Sequence, residues 1–262
     1  FKQKTAYEIR LSLVGSEMCI RDSNFAIGET TTAGAFGLLI RDGGSVAAGG
    51  TIAVNDALVG VNGTVEGDVV NHKLVGAGTS TFGGIGNLRI TGDYQQNGIL
   101  QIYAVNSTNV SKLQVDGHTT LNPISSSLSV QFSSDPMNRY EFGDAIDIVD
   151  WNGTVTGTFN SISLPPLIVF LAWNTTQLYT TGVLSVGYRG DFDFDGDVDG
   201  RDFLIWQRGG SPTALNASDL ADWQGNYGVG TVTAEATAVP EPCAGILALF
   251  LGLGFCMRRV VS

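Results

Sequence analysis

The stretch Gly190 to Asp202 constrains this chain more than any other, because it sets six aspartates within twelve residues. Counted from Asp191 they are Asp191, Asp193, Asp195, Asp197, Asp199 and Asp202, at positions 1, 3, 5, 7, 9 and 12. Like charges so crowded oppose a compact fold, and a hard divalent cation relieves the repulsion. The spacing is that of a calcium loop. Asp191, Asp193 and Asp195 fall on one concave side, and Gly196 permits the sharp turn. Position 7 offers its backbone carbonyl, which leaves the Asp197 side chain spare. Asp199 would act directly or through water, Asp202 closes the sphere where a helix begins, and Val198 is the apolar residue to be buried. A solvated acidic turn needs neither the glycine nor the register.

The residues that follow repeat in outline. Asp202-Phe203-Leu204-Ile205-Trp206-Gln207 returns as Asp219-Leu220-Ala221-Asp222-Trp223-Gln224. Each then reaches a glycine, Gly209 or Gly225, suited to a helix C-terminus. Two short helices related by a repeat, the first fed by a calcium loop, resemble an EF-hand-like dockerin type I module over residues 189–228. The likeness is to the degenerate form on secreted planctomycete proteins. It implies that the loop aspartates bind Ca2+ and that the paired helices offer a face to a protein partner. Ser211 to Ser218 carry no acidic loop, so one calcium site is expected. Gly200 and Arg201 stand where cellulosomal dockerins place the small hydroxyl residues that read a cohesin. Trp206 and Trp223 are expected to pack between the helices, with Phe203 and Leu220 filling a small core.

Charge excludes some partners. The formal net charge is −11, about half of it in the loop. That opposes a nucleic-acid face, which is basic, and charge-driven binding to anionic membranes. The 35 glycines and short apolar runs are those of a turn-rich, mostly β chain. Residues 24–242 contain no cysteine, so no disulfide framework holds the fold.

Residues 1–23 resemble the conceptual translation of a sequencing adaptor, and are set aside from fold reasoning as an artefact. The expectation is therefore of a fragment whose signal peptide and earlier domains lie upstream. From Asn24 onward, runs of four to eight residues such as Ala57-Leu58-Val59-Gly60-Val61 alternate with Gly and Asn turns. Coils that each bury little alone and stack to form a core have this pattern. Gly63-Thr64-Val65-Glu66-Gly67-Asp68-Val69-Val70-Asn71 leads into Leu88-Arg89-Ile90-Thr91-Gly92-Asp93-Tyr94-Gln95-Gln96. The pair resembles the repeats of autotransporter-like passenger segments. Later strands alternate with period two (Leu113, Val115; Leu128, Val130, Phe132), as half-buried strands do. The expected body, residues 24–188, is a β-solenoid, with a β-sandwich as the alternative.

This body shows no catalytic constellation, and the chain is read as not an enzyme. His72 and His118 lack further ligands at a useful spacing. Glu141, Asp144, Asp147 and Asp150 recur every three residues, but strand alternation is expected to send Asp147 and Asp150 to opposite faces, which does not make a hydrolytic pair.

Residues 229–238 read as a linker. Residues 239–262 then hold Pro240-Glu241-Pro242, an apolar stretch expected to form a short transmembrane helix, and Arg258-Arg259. This order resembles a PEP-CTERM sorting signal. The resemblance implies export, processing by an exosortase-type enzyme, transient membrane anchoring, and delivery to the cell surface or extracellular matrix of a Gram-negative-type bacterium. The combined expectation is a non-catalytic surface or matrix protein acting through calcium-dependent protein–protein interaction. The alternative is the accessory C-terminal part of a secreted polysaccharide-degrading enzyme, or a carbohydrate-binding protein with extracellular polysaccharide as its ligand.

Overall fold

The structure, a computed structural model, describes residues 18–20, 25–27, 37–80, 84–133 and 140–230. Strands β1 (Met18–Ile20), β2 (Phe25–Ile27) and β3 (Leu38–Arg41) enter three different sheets. The next three, β4 (Ser45–Ala48), β5 (Ile52–Val54) and β6 (Ala57–Val61), pair with them in the same order and in parallel. The pattern continues through β7 (Gly63–Glu66), β8 (Val69–Asn71) and β9 (Leu74–Ala77), then β10 (Leu88–Ile90), β11 (Tyr94–Gln96) and β12 (Ile99–Ala104). A further triplet is β13 (Leu113–Val115), β14 (Thr119–Leu121) and β15 (Ser127–Phe132). Strand β16 (Ala145–Asp147) leaves the pattern, and β17 (Val149–Trp151), β18 (Val155–Gly157) and β19 (Ser161–Ser163) resume it. Each of the three sheets thus has six parallel strands, one from every triplet. A β-sandwich is built from antiparallel sheets, so this pairing is not that of the alternative.

Alternation explains the core. Leu88, Ile90, Leu100, Ile102, Leu113, Val115 and Leu128 are fully buried, while Arg89, Gln101 and Gln114 between them are not. Each such side chain removed from water contributes about 1.5–3 kcal/mol. Register keeps like on like: Val65 pairs with Ile90, and Ile90 with Val115. The corners are polar, and stacked too. Asp68 Oδ1 accepts the backbone N–H of Asp93 (2.9 Å), and Asp93 Oδ1 that of His118 (2.7 Å), each 25 residues on. Asn62 and Asn87 do the same for Asn87 and Lys112. These side chains satisfy turn N–H groups that the ladders leave over.

Met18–Ile20 lies within the adaptor-like stretch, yet pairs in parallel with β4. Short apolar segments add readily to an open strand edge.

After β19 the chain forms β20 (Leu171–Asn174) and β21 (Val183–Tyr188), which join β16 in an antiparallel sheet ordered β16-β21-β20. Between β20 and β21, Leu178 is buried, and Trp151 Nε1 donates to its carbonyl at 2.8 Å, so this segment closes over the last parallel strands. Helices α1 (Gly200–Gln207) and α2 (Ala217–Asn226) follow. Among the described residues no helix is long and apolar enough to cross a membrane. Pro240-Glu241-Pro242, the apolar stretch and Arg258-Arg259 lie outside the described residues.

Two expectations are corrected. Asp147 and Asp150 do not point apart: both carboxylates pair with Lys112 Nζ, the Asp150 contact being 3.2 Å. Ile148 separates β16 from β17, so alternation does not carry across it. Gly225 does not end α2, which runs on to Asn226, where Asn226 Nδ2 donates to the Asp222 carbonyl (2.8 Å). The left-handed glycine is Gly228, whereas Gly209 does follow α1 in that conformation.

Candidate metal centre

The acidic loop leaves β21 through Gly190. Its φ is +89°, and a Cβ there would lie 2.6 Å from the Cα of Trp223, so α2 rests directly on the chain entering the loop. Phe194 and Gly196 also adopt positive φ and turn the backbone back on itself. Asp191 Oδ2 accepts the Gly196 N–H (3.1 Å), Asp193 Oδ1 that of Asp195 (3.4 Å), and Asp195 Oδ1 that of Asp197 (3.3 Å).

Asp202, fully buried, ties the loop to α1. Its Oδ1 accepts from the Phe192 and Asp193 N–H groups, and its Oδ2 from Asp199 N–H at 2.8 Å. Asp199 is the N-cap of α1 and accepts from Arg201 N–H, so the two acids form a reciprocal capping box. Arg201 Nη1 also reaches Asp195 Oδ2 at 3.3 Å, the loop's own counter-charge.

All six aspartates are brought together, as two groups. Asp191, Asp193 and Asp195 each offer an oxygen within 4.8 Å of the others, and so do Asp197, Asp199 and Asp202. Asp197 therefore turns its side chain toward Asp199 and Asp202. Two oxygens, Asp191 Oδ1 and Asp197 Oδ1, are buried without a hydrogen-bond partner. An orphaned carboxylate oxygen is costly unless something binds it. Burial, then repulsion from Asp202 and Asp193, pushes Asp191 up to about 6, against the N–H of Gly196. Asp193 and Asp197 are raised as well, by desolvation and then by neighbouring carboxylates. An oxygen-only donor set that resists its own ionisation suits a hard cation such as Ca2+.

The support beneath the loop is thin. Val198 is fully buried, and its backbone pairs with the chain beyond α2: its N–H donates to Val229 O (2.9 Å) and its carbonyl accepts from Gly228 (2.8 Å). Phe203 lies between Trp206 (ring centroids 5.7 Å) and Trp223 (4.9 Å). Trp223 Nε1 donates to Asp199 O and Trp206 Nε1 to Asn216 O. Phe203, Trp206, Leu220 and Trp223 are only half-buried, so this apolar cluster is small.

Sequence reasoning missed three things near the loop. The ion pair of Arg201 with Asp195 and the pairing of Val198 with Val229 join residues whose spacing carries no pattern. The third is the contact with the body, where Phe142 Cζ lies 3.4 Å from where a Cβ of Gly196 would be. Elsewhere, His118 faces hydroxyls: Nδ1 meets Thr154 Oγ1 at 2.5 Å and Nε2 meets Thr156 Oγ1 at 3.2 Å.

Compared with family models, with curated proteins and with solved structures, the chain matches none.

Proposed function

We propose that residues 189–228 are a dockerin-like module that binds one calcium ion and, so ordered, docks a protein partner. The observation that carries this reading is Asp191: 3% exposed, with one carboxylate oxygen unpartnered, in a group with Asp193 and Asp195. Asp191, Asp193, Asp195, Asp197, Asp199 and Asp202 would hold the ion. Bound calcium supplies the positive charge that lets these acids ionise together at neutral pH. The chain's own residues do the rest. Asp202 and Asp199 couple the loop to the start of α1, and Trp223 couples it to α2, so ordering the loop orders both helices. A module of about 40 residues with so small an apolar cluster needs such a staple.

The body fits a β-solenoid, since successive strands pass to three sheets in turn and return one layer on. Together with the Pro-Glu-Pro element and terminal arginines, this supports reading the chain as an exported, non-catalytic surface or matrix protein. The body is its stalk, the module its adhesive part, and the tail its sorting signal read by an exosortase-type enzyme.

The test is a calorimetric calcium titration of the whole chain, followed by far-ultraviolet circular dichroism, beside a variant carrying Asp193→Ala and Asp195→Ala. One site per chain with a gain in helix, both lost in the variant, is expected. No uptake at millimolar calcium would overturn the reading.

A further inference from the structure

The antiparallel sheet and the acidic loop enclose a cleft of about 310 Å3, at the small end of the usual range for ligand sites, ~300–1,000 Å3. Phe142, Asn174, Gln177 and Ser185 line the body wall, and Asp191, Phe194 and Asp195 the loop wall. The lining holds no basic residue, and its charges are carboxylates, so anionic ligands are repelled. Ser185 belongs to β21, the central strand of this sheet, so a peptide could extend the wall only at β20, whose last residue is Asn174.

What remains is apolar faces beside fixed polar groups. Phe142 and Phe194 are 43% and 45% exposed, and Phe142 is held flat against Tyr188, with centroids 4.2 Å apart and planes 8° from parallel. Asn174 Oδ1 is occupied by Thr176, accepting from its N–H (2.9 Å) and its Oγ1 (2.7 Å), which leaves Asn174 Nδ2 as a donor. The side chains of Gln177 and Ser185 have no partner among the described residues. Rings that cover C–H faces, with amide, hydroxyl and carboxylate groups set around them, match a neutral ligand dense in hydroxyls.

We propose that this cleft binds a saccharide unit of a neutral glycan, its hydroxyls meeting Asn174, Gln177 and Ser185, while a cation held by Asp191, Asp193 and Asp195 would keep the facing loop wall in place. The calcium dependence rests on the reading of the loop given above; the cleft assignment rests on the lining.

The experiment is saturation-transfer NMR on the whole chain, with and without calcium. The probes are glucose, galactose, mannose, N-acetylglucosamine and cellobiose at tens of millimolar, with a lysine-rich peptide as control. At least one sugar should bind the calcium-loaded chain. Asn174→Ala with Gln177→Ala should weaken it about tenfold, the loss of hydrogen bonds worth about 1.4 kcal/mol, while calcium uptake by calorimetry stays unchanged. Calcium uptake with no sugar binding, sugar binding indifferent to the double variant, or binding of the peptide alone would each overturn the proposal. Sugar binding by a chain that takes up no calcium would overturn the reading of the loop and the calcium dependence, and uphold the cleft.

Discussion

Asp202 Oδ1 accepts the backbone N–H of Phe192 at 2.5 Å, so the acid in the first turn of α1 holds the entry of the loop ten residues earlier. The same carboxylate takes the Asp199 N–H with its other oxygen. Asp202→Ala removes the capping box and the loop closure together. Even without calcium it should destabilise the module by about 2–4 kcal/mol, combining a lost cap with lost charge-assisted hydrogen bonds. Asp202→Asn, which keeps one oxygen as acceptor, should fall between. Urea unfolding followed by the indole N–H NMR resonances of Trp206 and Trp223 reads the module, and a wild-type midpoint for the alanine variant would contradict this role.

Asp191 gives the module an unusual pH response. Its carboxyl, raised by burial to about 6, holds a proton in the folded state that the unfolded chain has released above about pH 4. Stability from this group is therefore full below about pH 4 and is lost as pH rises to about 6. The cation-free module should melt higher at pH 4.5 than at pH 7.5, by roughly 2 kcal/mol in stability. Calcium, which competes with the proton, should cancel or reverse the order. In the body Asp116 is shifted the other way, lowered by its hydrogen bonds to Asn152 and Arg89. Thermal melts at the two pH values, with and without calcium, check this.

The loop was legible because its aspartates recur in a fixed register, with Gly196 where the backbone turns at positive φ and Val198 where the chain is buried. The helices were legible from the two Asp-apolar-x-x-Trp-Gln runs. The body was legible only as a class. The layers at Gly63 and Leu88 share a motif, but the next begins at Leu113 and keeps little beyond its alternation and Gly117. After it, β16 is inserted before Val149 resumes the pattern. Glycines 67, 92 and 117 mark the same corner at a spacing of 25, and Gly153 stacks on it 36 residues further on, a signal visible only once the repeat is suspected. Lys112, which gathers Asp147 and Asp150, and Phe142, which meets the loop, are joined to their partners by tertiary packing alone.

That corner gives a sharp prediction. A Cβ on Gly92 would lie 2.5 Å from the carbonyl carbon and oxygen of Gly67, rigid backbone in the layer before. Gly92→Ala should force the two layers apart and destabilise the body by about 1–3 kcal/mol, as overpacking does. Gly187→Ala, on β21 with open space around the new methyl, should change stability by less than about 0.5 kcal/mol. Denaturant midpoints of the two variants, read by far-ultraviolet circular dichroism, should differ accordingly. Equal effects would mean that the layers are not in this contact.

Inside the same layers sits a buried polar cluster whose members depend on one another. Asn71 Nδ2 donates to Gln96 Oε1 (2.8 Å) and to the Ile99 carbonyl (2.9 Å), while Asn71 Oδ1 accepts from Lys73 N–H (3.0 Å). Gln96 Nε2 donates to the Gly98 carbonyl (2.8 Å), and the Tyr94 hydroxyl donates to Gln96 Oε1. Asn71 and Gln96 are fully buried, so no solvent can replace a missing partner. Asn71→Leu strands the Lys73 N–H, takes a side-chain donor from the Ile99 carbonyl, and should destabilise the body by about 1–3 kcal/mol. Gln96→Leu strands the Tyr94 hydroxyl and takes one of two donors from the Gly98 carbonyl, which keeps the Ser127 N–H (2.8 Å), with a similar or smaller effect. In the double variant the amide-to-amide bond is already gone, so its total should fall short of the sum by about 1 kcal/mol or more. A double-mutant cycle in urea measures this directly, and strict additivity would mean that the two amides, neighbours in one register, do not act together.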